Sequence, residues 1–276
     1  MIVNSVNAAR SYYDTEDVDG FYANVWGGED IHIGIYTNAN EAVSVASRRT
    51  VERMADTVAE HLGPERTVLD LGSGYGGAAR YLATKFGCQV VALNISEVQN
   101  QRHREMNRAR GLDQLITIVT GSFEDIPFPA GHFDVVWSQD ALCHSDDYGK
   151  ALGESMRVLK PKGHLIFSDL MTADDASVEL LDPAYSRVFV KPLPTLDFCR
   201  NQLEHLGFAD VSFHDLSRHL QTHYLRLTEE TRKCSAELAA AVSSSYRDSL
   251  LVNLPLWVNA CRDGHIRWGV FHCHRD

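Results

Sequence analysis

The stretch VLDLGSGYGG, residues 68–77, constrains the fold more than any other part of this chain. A short apolar run, Val68 to Leu71, carries one acid, Asp70, and ends in a turn with glycines at 72, 74, 76 and 77. Glycine takes up backbone angles closed to other residues and lets the chain pass close to a ligand. A helix after such a turn presents unpaired N–H groups at its start, where polar groups of a cofactor can dock. Gly72, Gly74 and Gly77 fit the Gly-x-Gly-x-x-Gly fingerprint, whose context is a strand before it and a helix after it. A structural glycine turn with no ligand is the plain alternative.

The acid separates the cofactor chemistries. A nicotinamide cofactor turns its pyrophosphate toward this loop, and an acid at the strand end opposes that charge. Asp70 suits a cation, such as the α-ammonium of S-adenosylmethionine, or it supports the loop by accepting its N–H groups. The next apolar run, QVVALNIS (89–96), ends in Asn94, where a dinucleotide site calls for a ribose-binding acid about 20 residues on. Asn94 can still bond ribose hydroxyls. Both residues favour methyl transfer, with an NAD-dependent oxidoreductase as the alternative class.

Across its 276 residues the chain alternates short apolar runs with amphipathic stretches. Strands are expected at 67–71, 89–94, 115–119, 133–137, 163–168, 209–214 and 266–274. Helices are expected at 40–62, 76–86, 96–110, 147–159, 195–206 and through about 217–262. Asn40 caps the first helix, Gly63-Pro64 stops it, and KPKG (160–163) makes a turn. Alternation with near-continuous apolar strands means an α/β fold, a doubly wound, mostly parallel sheet with helices on both faces. Residues 1–62 are read as a helical cover of the site. Residues 63–276 are the cofactor-binding domain, with an insertion or lid near 170–194 marked by Pro183, Pro192 and Pro194.

A net charge of −11 argues against nucleic-acid partners and anionic membranes. There is no signal-peptide pattern and no apolar run near the ~20 residues of a membrane span, so a cytoplasmic protein is expected. The six cysteines are scattered, which suits free thiols. In HCH (272–274) alternate side chains point to opposite faces of a strand, so no metal is expected there. The sequence carries no signal for an oligomeric state.

Ligands in such sheets bind beyond the carboxyl ends of the strands. After the third strand, GSFEDIPF (121–128) offers Ser122 and Phe123 to an adenine, or else anchors its own loop. After the fourth strand comes SQDALCHS (138–145). Asp140 and His144 are four apart and converge on a helical turn, where a carboxylate and an imidazole can hold an amine or take its proton. The alternative is a capping aspartate and a buried histidine, but Gln139 adds to the polarity of the cluster. The stretch 11–36 carries Tyr12, Tyr13, Tyr22, Trp26 and Tyr36, which suit a sulfonium or methylated ammonium, or clamp the segment onto the domain. Trp257 and Trp268 are expected in the core. Arg187, alone in an apolar stretch, meets either a substrate carboxylate or an internal acid, Asp182 or Glu179.

On the segments FYANVWGGEDIHIGIY, VLDLGSGYGG, LNISEVQNQR, GSFEDIPF, WSQDALCHS and WVNACRDGHIRWGVF, the chain resembles the class I S-adenosylmethionine-dependent methyltransferases. Within them it resembles the sarcosine/dimethylglycine N-methyltransferases of glycine betaine synthesis. The resemblance implies a seven-stranded sheet with an antiparallel last strand. It implies Gly72 and Gly74 under the methionine part of the cofactor and Asn94, Ile95 and Gln99 about its ribose. Ser122 and Phe123 would flank the adenine, with Asp70 and His32 also on the cofactor. SQDALCH is similar to phosphoethanolamine N-methyltransferases as well, which implies Asp140, His144 and Tyr13 as the catalytic group. Arg187, Trp26, Tyr22, Gln139 and Met171 are then the candidates for an amine substrate bearing a carboxylate. Leu170-Met171 stands where glycine-accepting relatives place an arginine, which implies sarcosine and N,N-dimethylglycine as acceptors. Another small amine, such as phosphoethanolamine, is the alternative.

Overall fold

The expected apolar runs pair into one seven-stranded sheet. The structure, a computed structural model, describes residues 10–176, 181–185 and 192–276. The strands are β1 (Thr67–Leu71), β2 (Gln89–Asn94), β3 (Ile116–Thr120), β4 (Phe133–Gln139), β5 (Leu159–Thr172), β6 (Phe208–Asp215) and β7 (Ile266–Arg275). They lie in the order β3-β2-β1-β4-β5-β7-β6. The first five are parallel, and β7 is antiparallel to both β5 and β6. Every residue of β4 is buried, as a central strand covered on both faces requires. Order reverses between β1 and β4, and the crevice beyond their carboxyl ends is where a ligand belongs.

Helices pack on both faces and at the site end. In chain order they are α1 (Glu16–Phe21), α2 (Val43–Thr57), α3 (Gly77–Phe86), α4 (Glu97–Ala109), α5 (Tyr148–Val158), α6 (Asp182–Tyr185), α7 (Leu196–His205), α8 (Leu220–Lys233), α9 (Ala236–Ala241) and α10 (Ser244–Arg262). Two buried clusters divide the core: one holds Val68, Trp137, Ile166 and Trp268, the other Leu69, Val136, Leu165 and Phe271. Consecutive residues of one strand fall in different clusters because side chains alternate across a sheet. Among the described residues no helix is long and apolar enough to cross a membrane.

Three expectations are corrected. β5 runs on to Thr172, past 168, because Leu170, Met171 and Thr172 stay paired with Trp268, Arg267 and Ile266 of β7; the segment between β5 and α7 therefore begins later than 170. KPKG lies inside β5 as a bend at Lys162, which has a left-handed φ of 66°. Asn40 does not cap α2, which starts after Ala42 with no side-chain cap.

The N-terminal stretch lies across the site. Thr15 caps α1, which winds on as a π-helical turn, Tyr22–Trp26, and stops at Gly27 with φ 107°. The extended residues 29–36 are then held by hydrogen bonds from α2: Ser47 Oγ to the His32 carbonyl at 2.7 Å, and Thr50 Oγ1 to the Ile33 carbonyl at 2.8 Å. Glu29 forms ion pairs with Arg48 of α2, Arg80 of α3 and Arg110 after α4. One short segment is thereby tied to three helices.

Candidate active site

Two adjoining cavities occupy the crevice. The first is lined by the ends of β1, β2 and β4 and the loops after them, including Asp70, Gly72, Gly74, Asn94, Ile95, Gln99, Ser122, Phe123 and Gln139. The second holds Tyr22, Trp26, Leu170, Tyr224 and Trp257. Tyr13, Ile31, His32, Asp140 and His144 line both. The junction is therefore built by the N-terminal stretch and the turn after β4.

The first cavity needs its glycines. At Gly72, φ is 68°, and a Cβ there would collide with the Cβ of Ala141. At Gly74, φ is 52°, and a Cβ would lie 2.9 Å from Ile31 Cδ1. We expect Gly72→Ala to lower the melting temperature, by the equivalent of about 1–3 kcal/mol for a strained left-handed residue plus the collision. A melt within 1 °C of the parent would reject this account of the turn.

The loop does not lean on Asp70. The Gly72 and Ser73 N–H groups donate to the Leu93 carbonyl at 2.8 and 3.3 Å, so that option for the acid is corrected. Asp70 is 2% exposed and its Oδ2 has no hydrogen-bond partner among the described residues. Burial pushes its carboxyl up to about 7, nearby His32 pulls it back, and Asp30 adds to the rise. Ser73 Oγ, Gln139 Nε2, Asp30 Oδ1 and His32 Nε2 also lack a hydrogen bond among the described residues. Native proteins satisfy nearly all such groups. A buried acid with an unbonded oxygen, beside the unbonded Ser73 hydroxyl and Gln139 amide, fits a cofactor that carries an ammonium and a carboxylate; Asp30 and His32 face each other at 3.8 Å. Asn94 Nδ2 donates to Gln99 Oε1 at 3.0 Å, which sets both amides in the wall after β2.

At the junction the Tyr13 hydroxyl and His144 Nε2 are 2.9 Å apart, and the rings meet edge to face. Burial alone lowers the His144 imidazole to about 4, so it is neutral at physiological pH. Asp140 does not turn toward His144. Its oxygens take the Ile33 N–H at 2.7 Å, the Ser168 hydroxyl at 2.8 Å and the Trp268 indole N–H at 2.8 Å. The reason is backbone geometry: Asp140 adopts a left-handed φ of 49°, off the helical turn assumed for the pair. It pins the N-terminal segment to the sheet.

The remaining candidates divide. Tyr22 and Trp26 line the second cavity, with ring centroids 4.9 Å apart. Gln139 lines the first, its Oε1 held by the Trp137 indole at 3.0 Å. Met171 does not reach either cavity: it is fully buried in the core of the other face, and its neighbour Leu170 lines the second cavity instead. Trp257 is buried in the core, as expected, and one side of it also lines that cavity with Tyr224. Arg187 and Glu179 lie outside the described residues. Glu29, Asp30 and Ile31 in the first cavity were missed. The only sequence signal for them was their place after the Gly-Gly turn.

A family profile described as a methyltransferase domain matches residues 69–167. The sarcosine/dimethylglycine N-methyltransferase of Halorhodospira halochloris is 46% identical over 97% of this chain and 96% of its own length. The chain belongs to the sarcosine/dimethylglycine N-methyltransferase family. It is an S-adenosylmethionine-dependent N-methyltransferase, and the nicotinamide alternative falls. The glycine/sarcosine/dimethylglycine N-methyltransferase of Actinopolyspora halophila is 47% identical over 99% of the chain, which spans about half (48%) of that protein. A crystal structure of a Galdieria sulphuraria protein assigned as a sarcosine dimethylglycine methyltransferase superposes with a TM-score of 0.87. It is 35% identical and covers 94% of this chain and 98% of its own. The family's seven-stranded sheet with one antiparallel hairpin is the sheet found here.

Proposed function

We propose that this enzyme methylates the nitrogen of sarcosine and N,N-dimethylglycine, giving dimethylglycine and glycine betaine. The observation that carries the reading is the Tyr13–His144 pair at the junction of a polar cavity and an aromatic one. Asp70, Gly72, Gly74 and His32 hold the methionine end of the donor; Asn94, Ile95 and Gln99 hold its ribose; Ser122 and Phe123 flank its adenine. When bound, the donor supplies an electrophilic methyl group on a sulfonium leaving group.

The chain's own residues then do three things. The cover made by residues before 62 excludes water, with Asp140 fastening it through the Ile33 N–H. Tyr22, Trp26 and the apolar wall place the amine at the junction. His144 takes the amine's proton. With Nδ1 protonated, Nε2 accepts from the Tyr13 hydroxyl, so the amine proton passes to Tyr13 Oη as Tyr13 delivers its own to Nε2. Burial lowers the proton affinity of the imidazole, but it penalises an ammonium in the same cavity too, and the transfer leaves the total charge unchanged.

We expect labelled methyl transfer to sarcosine and dimethylglycine, and little to glycine or phosphoethanolamine. Transfer to phosphoethanolamine alone would replace the reading. Tyr13→Phe should lower kcat about tenfold or more by breaking the relay, and an unchanged kcat would remove Tyr13 from it.

A further inference from the structure

The aromatic cavity contains more ring surface than positioning an amine requires. Two groups of rings line it from different ends of the chain. Tyr13, Tyr22 and Trp26 come from the N-terminal stretch, with Tyr13–Tyr22 centroids 5.7 Å apart. Tyr224 of α8 and Trp257 of α10 stack at 5.1 Å with an interplanar angle of 20°. The Trp257 indole N–H is directed to Asn253 Oδ1 at 3.2 Å, which leaves the ring to contribute its surface. Leu170, Leu193 and Leu254 add apolar surface, and His32, Cys143 and His144 lie on the side toward the junction.

Charged acceptors for N–H groups are scarce by comparison. Asp140 is the one acidic side chain among the described lining residues, and three donors already occupy its oxygens. An ammonium with several N–H groups would have to satisfy them on neutral hydroxyl and imidazole acceptors, and any left unpaired is costly in a buried site. Each methyl that replaces an N–H removes one such donor and adds apolar surface. It also leaves the positive charge, which aromatic faces attract.

We propose that this cavity ranks its ligands by the number of N-methyl groups, and that Trp257 and Tyr224 are the specificity-determining residues that set the ranking. The inference rests on the cavity being the acceptor site proposed above. It makes dimethylglycine a better acceptor than sarcosine, and it extends to quaternary ammonium ions with no carboxylate.

The test uses the full chain and tetramethylammonium as a carboxylate-free probe. Trp257→Leu should lower kcat/KM for dimethylglycine about tenfold and for sarcosine no more than about threefold. It should also abolish protection of the enzyme by tetramethylammonium in a thermal melt. Trp257→Phe, which keeps a ring face, should restore most of both; Tyr224→Leu supplies an independent variant should the first fail to fold. Equal losses for both acceptors, or undiminished tetramethylammonium protection in the leucine variants, would overturn the proposal. A parent enzyme that methylates neither amine would sink the proposed function and the ranking with it, whereas one that methylates both but gains no protection from tetramethylammonium would sink the ranking alone.

Discussion

Asp70→Asn is expected to weaken S-adenosylmethionine and S-adenosylhomocysteine binding by about 10- to 150-fold, the value of a charge-assisted hydrogen bond of about 1.5–3 kcal/mol. The acid sits at the end of β1, 2% exposed, with an oxygen that has no partner among the described residues. Burial holds it protonated up to about pH 7 in the ligand-free protein. A bound ammonium favours the carboxylate, so binding releases a proton, and affinity falls as pH drops below 7. Calorimetry at pH 6.5 in two buffers of different ionisation enthalpy reads that proton, and the asparagine variant should show none of it. Stability moves the opposite way. This acid has its folded value raised above the ordinary 3.8, so ligand-free stability declines as pH rises from about 4 to about 7 and is flat above. The variant should therefore melt higher than the parent at pH 8 while binding less. Binding within threefold of the parent, with no change in proton release, would remove Asp70 from the cofactor site.

The sheet was legible because it depends on local pattern. All seven strands lie within a few residues of their apolar runs, and the glycines at 72 and 74 are where a left-handed turn needs them. The cavity lining was legible where residues end a strand, as Asn94 and Gln139 do, or come just after one, as Ser122 does. It was not legible where the answer depended on a single dihedral or on parity along a strand. Asp140 and His144 share a helical spacing, but the left-handed φ at Asp140 turns its carboxylate to Ile33, Ser168 and Trp268. Met171 and Leu170 differ by one position, and the pleat sends the first into the core and the second into the cavity. Tyr224 lies far in sequence from every motif, and Trp257, though it opens the WVNACRDGHIRWGVF segment, carries no spacing that points to the crevice. Their place was set by α8 and α10 packing together over the crevice, which no local spacing encodes.

His144→Ala is the second large effect, an expected loss of about 10²–10⁴ in kcat for removing a positioned proton acceptor. The case rests on neutrality and location together. The imidazole is depressed to about 4 by burial, so it is neutral, with a ring nitrogen open to a proton, throughout the working range. It lines both cavities and is fixed by Tyr13 at 2.9 Å. A histidine titrating near 4 cannot produce an acid limb in kcat/KM above pH 5. The limb expected near pH 7 comes from Asp70 and should survive in the alanine variant, displaced downward in rate but not along the pH axis. In Asp70→Asn that limb should vanish. S-adenosylhomocysteine affinity should change little in His144→Ala, since the fold around Asp70 and Gly72 does not depend on the imidazole. Lost cofactor affinity with turnover intact at saturation would assign His144 to donor binding and leave the proton without an acceptor. A kcat within threefold of the parent would show that the amine sheds its proton to solvent before it enters the crevice.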